Sequence, residues 1–363
     1  MVSGKEIMAL ELGQGLRTTG HSVNYVATLW GDGKFRERLN LLKFPLRCMR
    51  LGFISATLTL DCLRMTGDQL LRVPGLWLDY RRFLSQARPE HIIHTNWQHV
   101  LALCPFLKIE RDWLWLHECI PDQPQYRHVF RWLSRRLRGF VPVSNAVRNS
   151  LLTIGIPDEK IQVIHNGLSD PAEGLKSPLH TPGLRIGIAG QVGAWKGHQD
   201  LIEAFALLAG KHAQAELHVF GTGDYGFQHA LKARVLQLEL SQRVVWHGFV
   251  TDRREIYEQI DICVVPSRTP DPLPTTAIEA AFFGLPVVAT NQGGLPEIIN
   301  DSVTGFIVEA ANPAALASRL DQLLSNANLR QQMGSATRLR AELHFSRDRF
   351  VAEFTRLLNG PVE

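Results

Sequence analysis

Four stretches in the second half of this chain set a charged side chain near a predicted helix start, three of them beside glycine, a pattern suited to phosphates and sugar hydroxyls. In Gly190-Gln-Val-Gly-Ala-Trp-Lys196-Gly197-His198, one lysine precedes the helix. Helix N-terminal amides and one ammonium group suit a diphosphate; the plainer reading is a solvated lysine in a flexible loop. In Pro266-Ser-Arg-Thr-Pro-Asp271-Pro-Leu-Pro-Thr275-Thr276-Ala-Ile-Glu279, prolines stiffen the loop that carries Asp271. Asp271 and Glu279 could accept hydrogen bonds from sugar hydroxyls while the Thr275 and Thr276 amides face phosphate oxygens. Thr276-x-x-Glu279 is equally a capping box in the first helical turn, which would give Glu279 a purely structural duty. Asn291-Gln-Gly293-Gly294-Leu-Pro296-Glu297 follows another strand and lies where ligands of open α/β sheets bind, or is a plain Gly-Gly turn. Gly221-Thr-Gly223-Asp-Tyr-Gly226 matches a dinucleotide fingerprint, yet the next strand ends Val245-Trp246-His247-Gly248 without the acid that holds a ribose. The run follows its domain's second strand rather than the first, so it reads as a tight turn near some other nucleotide. In the first half, His117 of Trp115-Leu116-His117-Glu118 stands at a strand end, where a structural histidine is the commoner case.

These residues need an alternating frame to hold them. Residues 6–19 carry a helical pattern closed by Gly20, and 22–28 reads as a buried strand. In the second half strands are expected at 184–189, 216–220, 244–246, 262–266 and 286–289, with helices at 199–209, 276–283 and 313–324. Strands alternating with helices imply doubly wound parallel sheets. The pattern blurs between residues 35 and 90. A Pro/Gly-rich stretch through residues 173–183 reads as a linker. The expected organisation is therefore a first domain over 1–172, a second over 184–340, and a C-terminal helix in 341–363 that packs back toward the first. The first domain begins at its glycine loop, Met1-Val-Ser-Gly4, with no leading strand ahead of it. The expectation is that the true start lies upstream, because a missing central strand would expose sheet edges.

Composition narrows the classes. The 363 residues, 45% apolar and 20% charged, exclude a disordered, collagen-like or coiled-coil chain. Five scattered cysteines form neither a CxxC pair nor a metal-ligand spacing, which fits a reducing compartment. Neither a signal-peptide core nor a membrane-spanning apolar run is visible, so the expected location is cytoplasmic, with the inner face of a membrane as a peripheral option. The net charge of +4 is unevenly divided, with a surplus of Lys and Arg in the first half and a slight acidic excess in the second.

Taken in order, Asn166-Gly167, Lys196-Gly197, Gly221-Thr-Gly223, Gly248-Phe249-Val250, Pro266-Ser267, Asp271-x7-Glu279, Gly284-Leu-Pro286 and Gly293-Gly294-Leu-Pro296-Glu297 resemble one family closely. The chain is similar, from Gly4 to about Phe354, to the retaining glycosyltransferases of group 4 (glycosyl transferases group 1). The resemblance implies a GT-B fold, two Rossmann-like domains facing each other across a cleft, and a nucleotide-sugar donor. It implies that Lys196 binds the donor diphosphate and that Gly4 closes on it from the other domain. Asp271 stands where the family usually has glutamate to hold the donor sugar, and Glu279 would hold the ribose. Thr275 and Thr276 amides would touch phosphate, Gly248, Phe249 and Val250 would face the base, and His117 would lie beside the donor sugar. Gln191 replaces the usual arginine, which implies a diphosphate clamp that rests more on Lys196 and main-chain amides; the shorter Asp271, with Pro274 in place of a glycine, implies a variant sugar pocket. The resemblance further implies retention, with the leaving phosphate taking the acceptor proton. Nothing in the sequence calls for a metal or other cofactor, since no Asp-x-Asp pair is present.

Cationic stretches at residues 34–82 and 131–138 either lie on an anionic bilayer or form solvated faces. No recognition motif accompanies the charge, so nucleic acid is not an expected partner. The expected partners are a nucleotide-sugar donor, a glycan or lipid-linked acceptor in cell-surface polysaccharide or glycolipid synthesis, and an anionic membrane surface. Two alternatives remain at this point: a nucleotide-sugar epimerase of similar fold, and a non-catalytic nucleotide-sugar binding protein.

Overall fold

A computed structural model describes residues 4–51, 60–174 and 184–360. The chain divides into two compact units, residues 1–164 with 350–363, and residues 165–349. Most of the expected linker, 175–183, lies outside the described residues.

The first unit holds strands β1 (Tyr25–Thr28), β2 (Leu46–Met49), β3 (Ile92–His94), β4 (Asp112–Leu116) and β5 (Gly139–Pro142). Among the described residues they form two parallel groups, β1-β2 and β3-β4-β5. The stretch whose pattern blurs contains the helices Lys34–Leu41 and Leu60–Ala87. Pro74 sits inside the second, where a missing N–H and a ring clash ordinarily end a helix. Packing carries it through: Leu76 and Tyr80, just past the proline, are buried in one cluster with Met49, Ala102 and Leu103.

The second unit is regular. Strands β6 (Arg185–Ala189), β7 (Glu216–Phe220), β8 (Val244–Gly248), β9 (Ile262–Val265), β10 (Val287–Thr290) and β11 (Gly305–Val308) form one sheet ordered β11-β10-β9-β6-β7-β8. Every pairing is parallel. β9 and β10 are buried at every residue, because helices cover both faces of such a sheet and its centre must be apolar throughout. Numbered within the unit, the order is the 3-2-1-4-5-6 of a doubly wound nucleotide-binding sheet, with its switch point between β6 and β9. The helix His198–Leu208 follows β6, and Thr275–Phe282 follows β9.

The units meet along the chain at other residues than the sequence suggests. Residues 165–172 belong to the second unit: Leu168 bridges to Ser346, and Asp170 forms a forked ion pair with Arg338. Only residues from Phe350 onward rejoin the first unit, where Phe350 and Phe354 are fully buried against the Trp115 ring at 5.7 and 5.2 Å. Pro/Gly content marks a linker in sequence, but side-chain contacts with the segment decide its allegiance. Phe354→Ala should therefore cost the first unit about 3–5 kcal/mol, read as a lower midpoint in urea unfolding followed by amide exchange of β4.

Candidate active site

The loop after β6 is built on a helix N-terminus. Ala194–Lys196 makes one 3-10 turn, and Gly197, at φ 73°, caps the helix His198–Leu208. Only glycine takes that left-handed conformation freely. It is also the sole residue with room, since a Cβ at Gly197 would overlap the Pro266 carbonyl oxygen. The loops after β6 and β9 thus touch through bare backbone, and the Arg268 amide donates to the Trp195 carbonyl at 2.8 Å. Arg268 also grips Asp200 of the His198–Leu208 helix with two bonds of 2.7 and 2.5 Å.

This contact joins Lys196 to Asp271. The lysine Nζ donates to Asp271 Oδ2 and lies 4.7 Å above the Trp195 ring. Ser267 Oγ donates to the same carboxylate oxygen at 3.3 Å. Two further segments brace the Asp271 loop. The Gly294 amide donates to the Asp271 carbonyl at 2.8 Å, and Gly293, at φ 60°, stands where a Cβ would strike that carbonyl. Asn166 Nδ2 donates to the Leu273 carbonyl at 3.3 Å, giving the Asn166-Gly167 pair its place.

Glu279 is set otherwise than a capping box predicts. The Thr275–Phe282 helix has Pro274 at its N-cap and no side-chain cap bond, so Glu279 falls in the second turn. Arg253 Nε donates to Glu279 Oε1 at 2.9 Å, and the Tyr257 hydroxyl donates to Oε2 at 3.0 Å. Burial, followed by the Glu279 charge, pushes the Tyr257 phenol well above its ordinary pKa and the Cys263 thiol up to about 12. Glu279 is thereby held in one orientation from two sides. Arg253 and Tyr257 escaped sequence reading; the one signal was their place on a short helix capped by Asp252, just past Gly248-Phe249-Val250.

The remaining expected residues fall as follows. Gln191 is exposed on the β6 loop, Gly248 ends β8 at φ 69°, and Phe249 is half exposed beyond it. The Gly221-Thr-Gly223 run has a packing duty: a Cβ on either glycine would strike the β6 loop, at Gly190 and at Val192. Gly4 and His117 belong to the first unit. Gly4 opens the Gly4–Thr18 helix, and His117 follows the last residue of β4, its ring tilted 53° against that of Trp115 with centroids 4.4 Å apart. Its Nε2 is buried without a hydrogen-bond partner. Burial, reinforced by the Lys5 charge, lowers the His117 pKa to about 3, so the ring is neutral at physiological pH. Of the two cationic stretches, 131–138 turns Leu133 and Leu137 into the core and Arg131, Arg135 and Arg136 outward. The helix Leu60–Ala87 instead exposes Leu60, Leu71 and Leu78 at near-helical repeat, among exposed Arg64, Arg81 and Arg82. Among the described residues, no helix is long and apolar enough to cross a membrane, and no group of His, Cys, Asp or Glu is arranged to hold a metal ion.

A doubly wound parallel sheet with a lysine and a carboxylate at its switch point defines a Rossmann-like α/β protein, and solved structures specify the architecture. Anabaena HepE, crystallised with UDP and glucose, superposes with a TM-score of 0.78 over 99% of this chain and 96% of its own, at 18% identity. The fold is GT-B. Residues 2–170 match the model of Glycosyltransferase Family 4 and residues 176–340 that of Glycosyl transferases group 1, so nearly the whole chain is matched and it belongs to this glycosyltransferase family. Among curated relatives, the amylovoran biosynthesis glycosyltransferase AmsK of Erwinia amylovora is 31% identical over 50% of this chain and 46% of its own. The capsular polysaccharide biosynthesis glycosyltransferase CapM of Staphylococcus aureus is 27% identical over 59% and 57%. The chain spans about half the length of the curated relatives it matches.

The buried histidines make stability pH-dependent. His117 and His99, lowered to about 3 and about 4 chiefly by burial, take protons in the unfolded chain near pH 6.5 but resist them when folded. Their stabilisation is complete above pH 6.5 and is lost as pH falls toward the folded values, on the order of 1 kcal/mol per pH unit for each. Urea unfolding of the first unit at pH 7 and pH 5 should show this loss, and His117→Gln should shrink it.

Proposed function

We propose that the chain moves a sugar from a nucleotide-sugar donor to a glycan or lipid-linked acceptor in cell-surface polysaccharide synthesis, with retention and without a metal. The observation that carries this reading is Lys196 at the helix N-terminus of the switch point, paired among the described residues with Asp271, whose carboxylate also accepts from the Ser267 hydroxyl. In that reading the diphosphate takes Asp271's place as partner of the ammonium group. Charge that develops on the leaving phosphate is then met by Lys196 and the Thr275 and Thr276 amides, which are oriented before the reaction begins. Asp271, released from the lysine, accepts hydroxyls of the sugar, and Glu279, fixed by Arg253 and Tyr257, accepts those of the ribose. The Gly248–Val250 segment faces the base, and Gln191, which lacks charge, leaves the phosphates to Lys196 and main-chain amides. The names of AmsK and CapM support polysaccharide synthesis, and the UDP complex of HepE puts UDP-sugars first among candidate donors. The Leu60, Leu71 and Leu78 stripe with its arginines supports peripheral seating on an anionic membrane surface.

A thermal-shift screen of UDP-, GDP- and ADP-sugars should find one that raises the melting temperature. Lys196→Ala, with its fold verified by circular dichroism, should lose at least tenfold in affinity for that donor, about 1.4 kcal/mol; unchanged affinity refutes the site. Incubated with donor alone the protein should form no epimer, and with acceptor extracts it should transfer sugar. Transfer should proceed at an unchanged rate in EDTA, whereas a loss restored by magnesium removes the metal-free reading.

A further inference from the structure

Trp195 leaves 43% of its surface in water, so burial accounts for little of what its indole does. Its seat is nevertheless built. The Trp195 carbonyl accepts the Arg268 amide at 2.8 Å, and Arg268 is itself clamped to Asp200. The edge of the indole lies against Gly193, where a Cβ would come within 2.7 Å of the Trp195 Nε1. Gly193 has φ −158° and ψ 157°, extended backbone open to any residue. Conformation therefore does not ask for glycine at this point; room for the indole does.

The ring covers Lys196. The ammonium nitrogen lies over it, 4.7 Å from the centroid and within the ~6 Å at which an indole face attracts a cation. The lysine side chain is mostly buried, so little water competes for its charge. The other neighbours differ in what they offer. Asp271 supplies the paired charge and is the group a diphosphate would displace. The Ser267 hydroxyl donates to that carboxylate. Burial lowers the His198 pKa to about 4, so that ring is neutral and brings no charge. Among these groups the indole alone has a negative face, no proton to accept and no hydrogen bond to the lysine to break.

We propose that Trp195 is a positioning residue for Lys196: its ring face keeps the ammonium at the N-terminus of the His198–Leu208 helix while the lysine changes partner from Asp271 to a diphosphate. That role rests on the reading of Lys196 as the diphosphate ligand and adds what holds the lysine between partners. A lysine ammonium sits on a flexible four-carbon stem and is strongly hydrated when released. Without the ring it would swing into water as Asp271 turns to the sugar, and ordering it again would weaken binding. The indole attracts the charge without neutralising it, so all of it remains for the phosphate oxygens. The ring can do this because Gly193 and Arg268 fix it in turn.

The first test needs no ligand. The full chain is labelled with 5-fluorotryptophan, and the fluorine resonance lost in Trp195→Phe is assigned to Trp195 among the eight tryptophans. Lys196→Met, which keeps the length of the side chain and removes its charge, should shift that resonance. Asp271→Asn removes the pairing anion and should leave the lysine on the ring, so Lys196→Met should shift the resonance as far in that background. Loss of the shift there shows that the ring does not hold the lysine by itself and overturns the proposal. Binding is then read by calorimetry with inorganic pyrophosphate and with UDP. Trp195→Leu, which keeps apolar bulk without a ring face, should weaken both about tenfold, and Trp195→Phe about threefold. Gly193→Ala, by displacing the indole, should weaken them as much as Trp195→Leu. A merely space-filling indole would be replaced by leucine without loss, so unchanged affinity in Trp195→Leu overturns the proposal as well. If the parent chain binds neither probe while the shift survives in Asp271→Asn, the nucleotide reading falls and the ring's hold on Lys196 stands.

Discussion

The second unit's site depends on backbone meeting backbone. Three loops leave the sheet after β6, β9 and β10, and each approaches its neighbour at a glycine whose missing Cβ is the space a carbonyl oxygen occupies. Gly197 receives Pro266, and Gly293 receives Asp271. A side chain at either point would separate the loops by more than an ion pair can bridge. Lys196 and Asp271, far apart in sequence, meet because those two positions carry no side chain.

Electrostatics then acts within that frame. A partly buried lysine and aspartate give up hydration that their mutual attraction only partly returns, so the pair is held by the loops rather than holding them. Such an arrangement suits a site whose charges are to be repartnered, because the geometry survives the exchange. Glu279 shows the complementary device. Arg253 and Tyr257 each bind one of its oxygens, so its carboxylate is oriented before any ligand arrives. The unlike treatment of the two acids fits a division in which one changes partner and the other serves as a fixed anchor.

Much of this was legible in sequence where burial is complete. β9 and β10 are continuous apolar runs, and a run buried on both faces has one reading. The motifs that follow them sit at strand ends, so Lys196, Asp271 and the Gly293-Gly294 turn could be placed before any coordinates. The first unit resisted for physical reasons. Local rules end a helix at Pro74, yet the Leu60–Ala87 helix runs through it because Leu76 and Tyr80 are buried beyond. Local rules also make Thr276-x-x-Glu279 a capping box, but the helix begins one residue earlier and Glu279 turns to partners on another element. The unit boundary shifted for a similar reason, since the pairing of Asp170 with Arg338 is invisible in composition.

The sequence by itself determined the alternation of strands and helices in the second unit and the identity of the charged residues at its strand ends. Both follow from neighbours in the chain: burial on two faces demands unbroken apolar strands, and helix starts favour residues that cap or free the first amides. Only the tertiary structure decided which charges meet, that Glu279 belongs with Arg253 and Tyr257, and that residues from Phe350 onward rejoin the first unit. Those outcomes depend on groups distant in sequence arriving within a few ångströms, and the patterns of neighbouring residues hold no record of that distance.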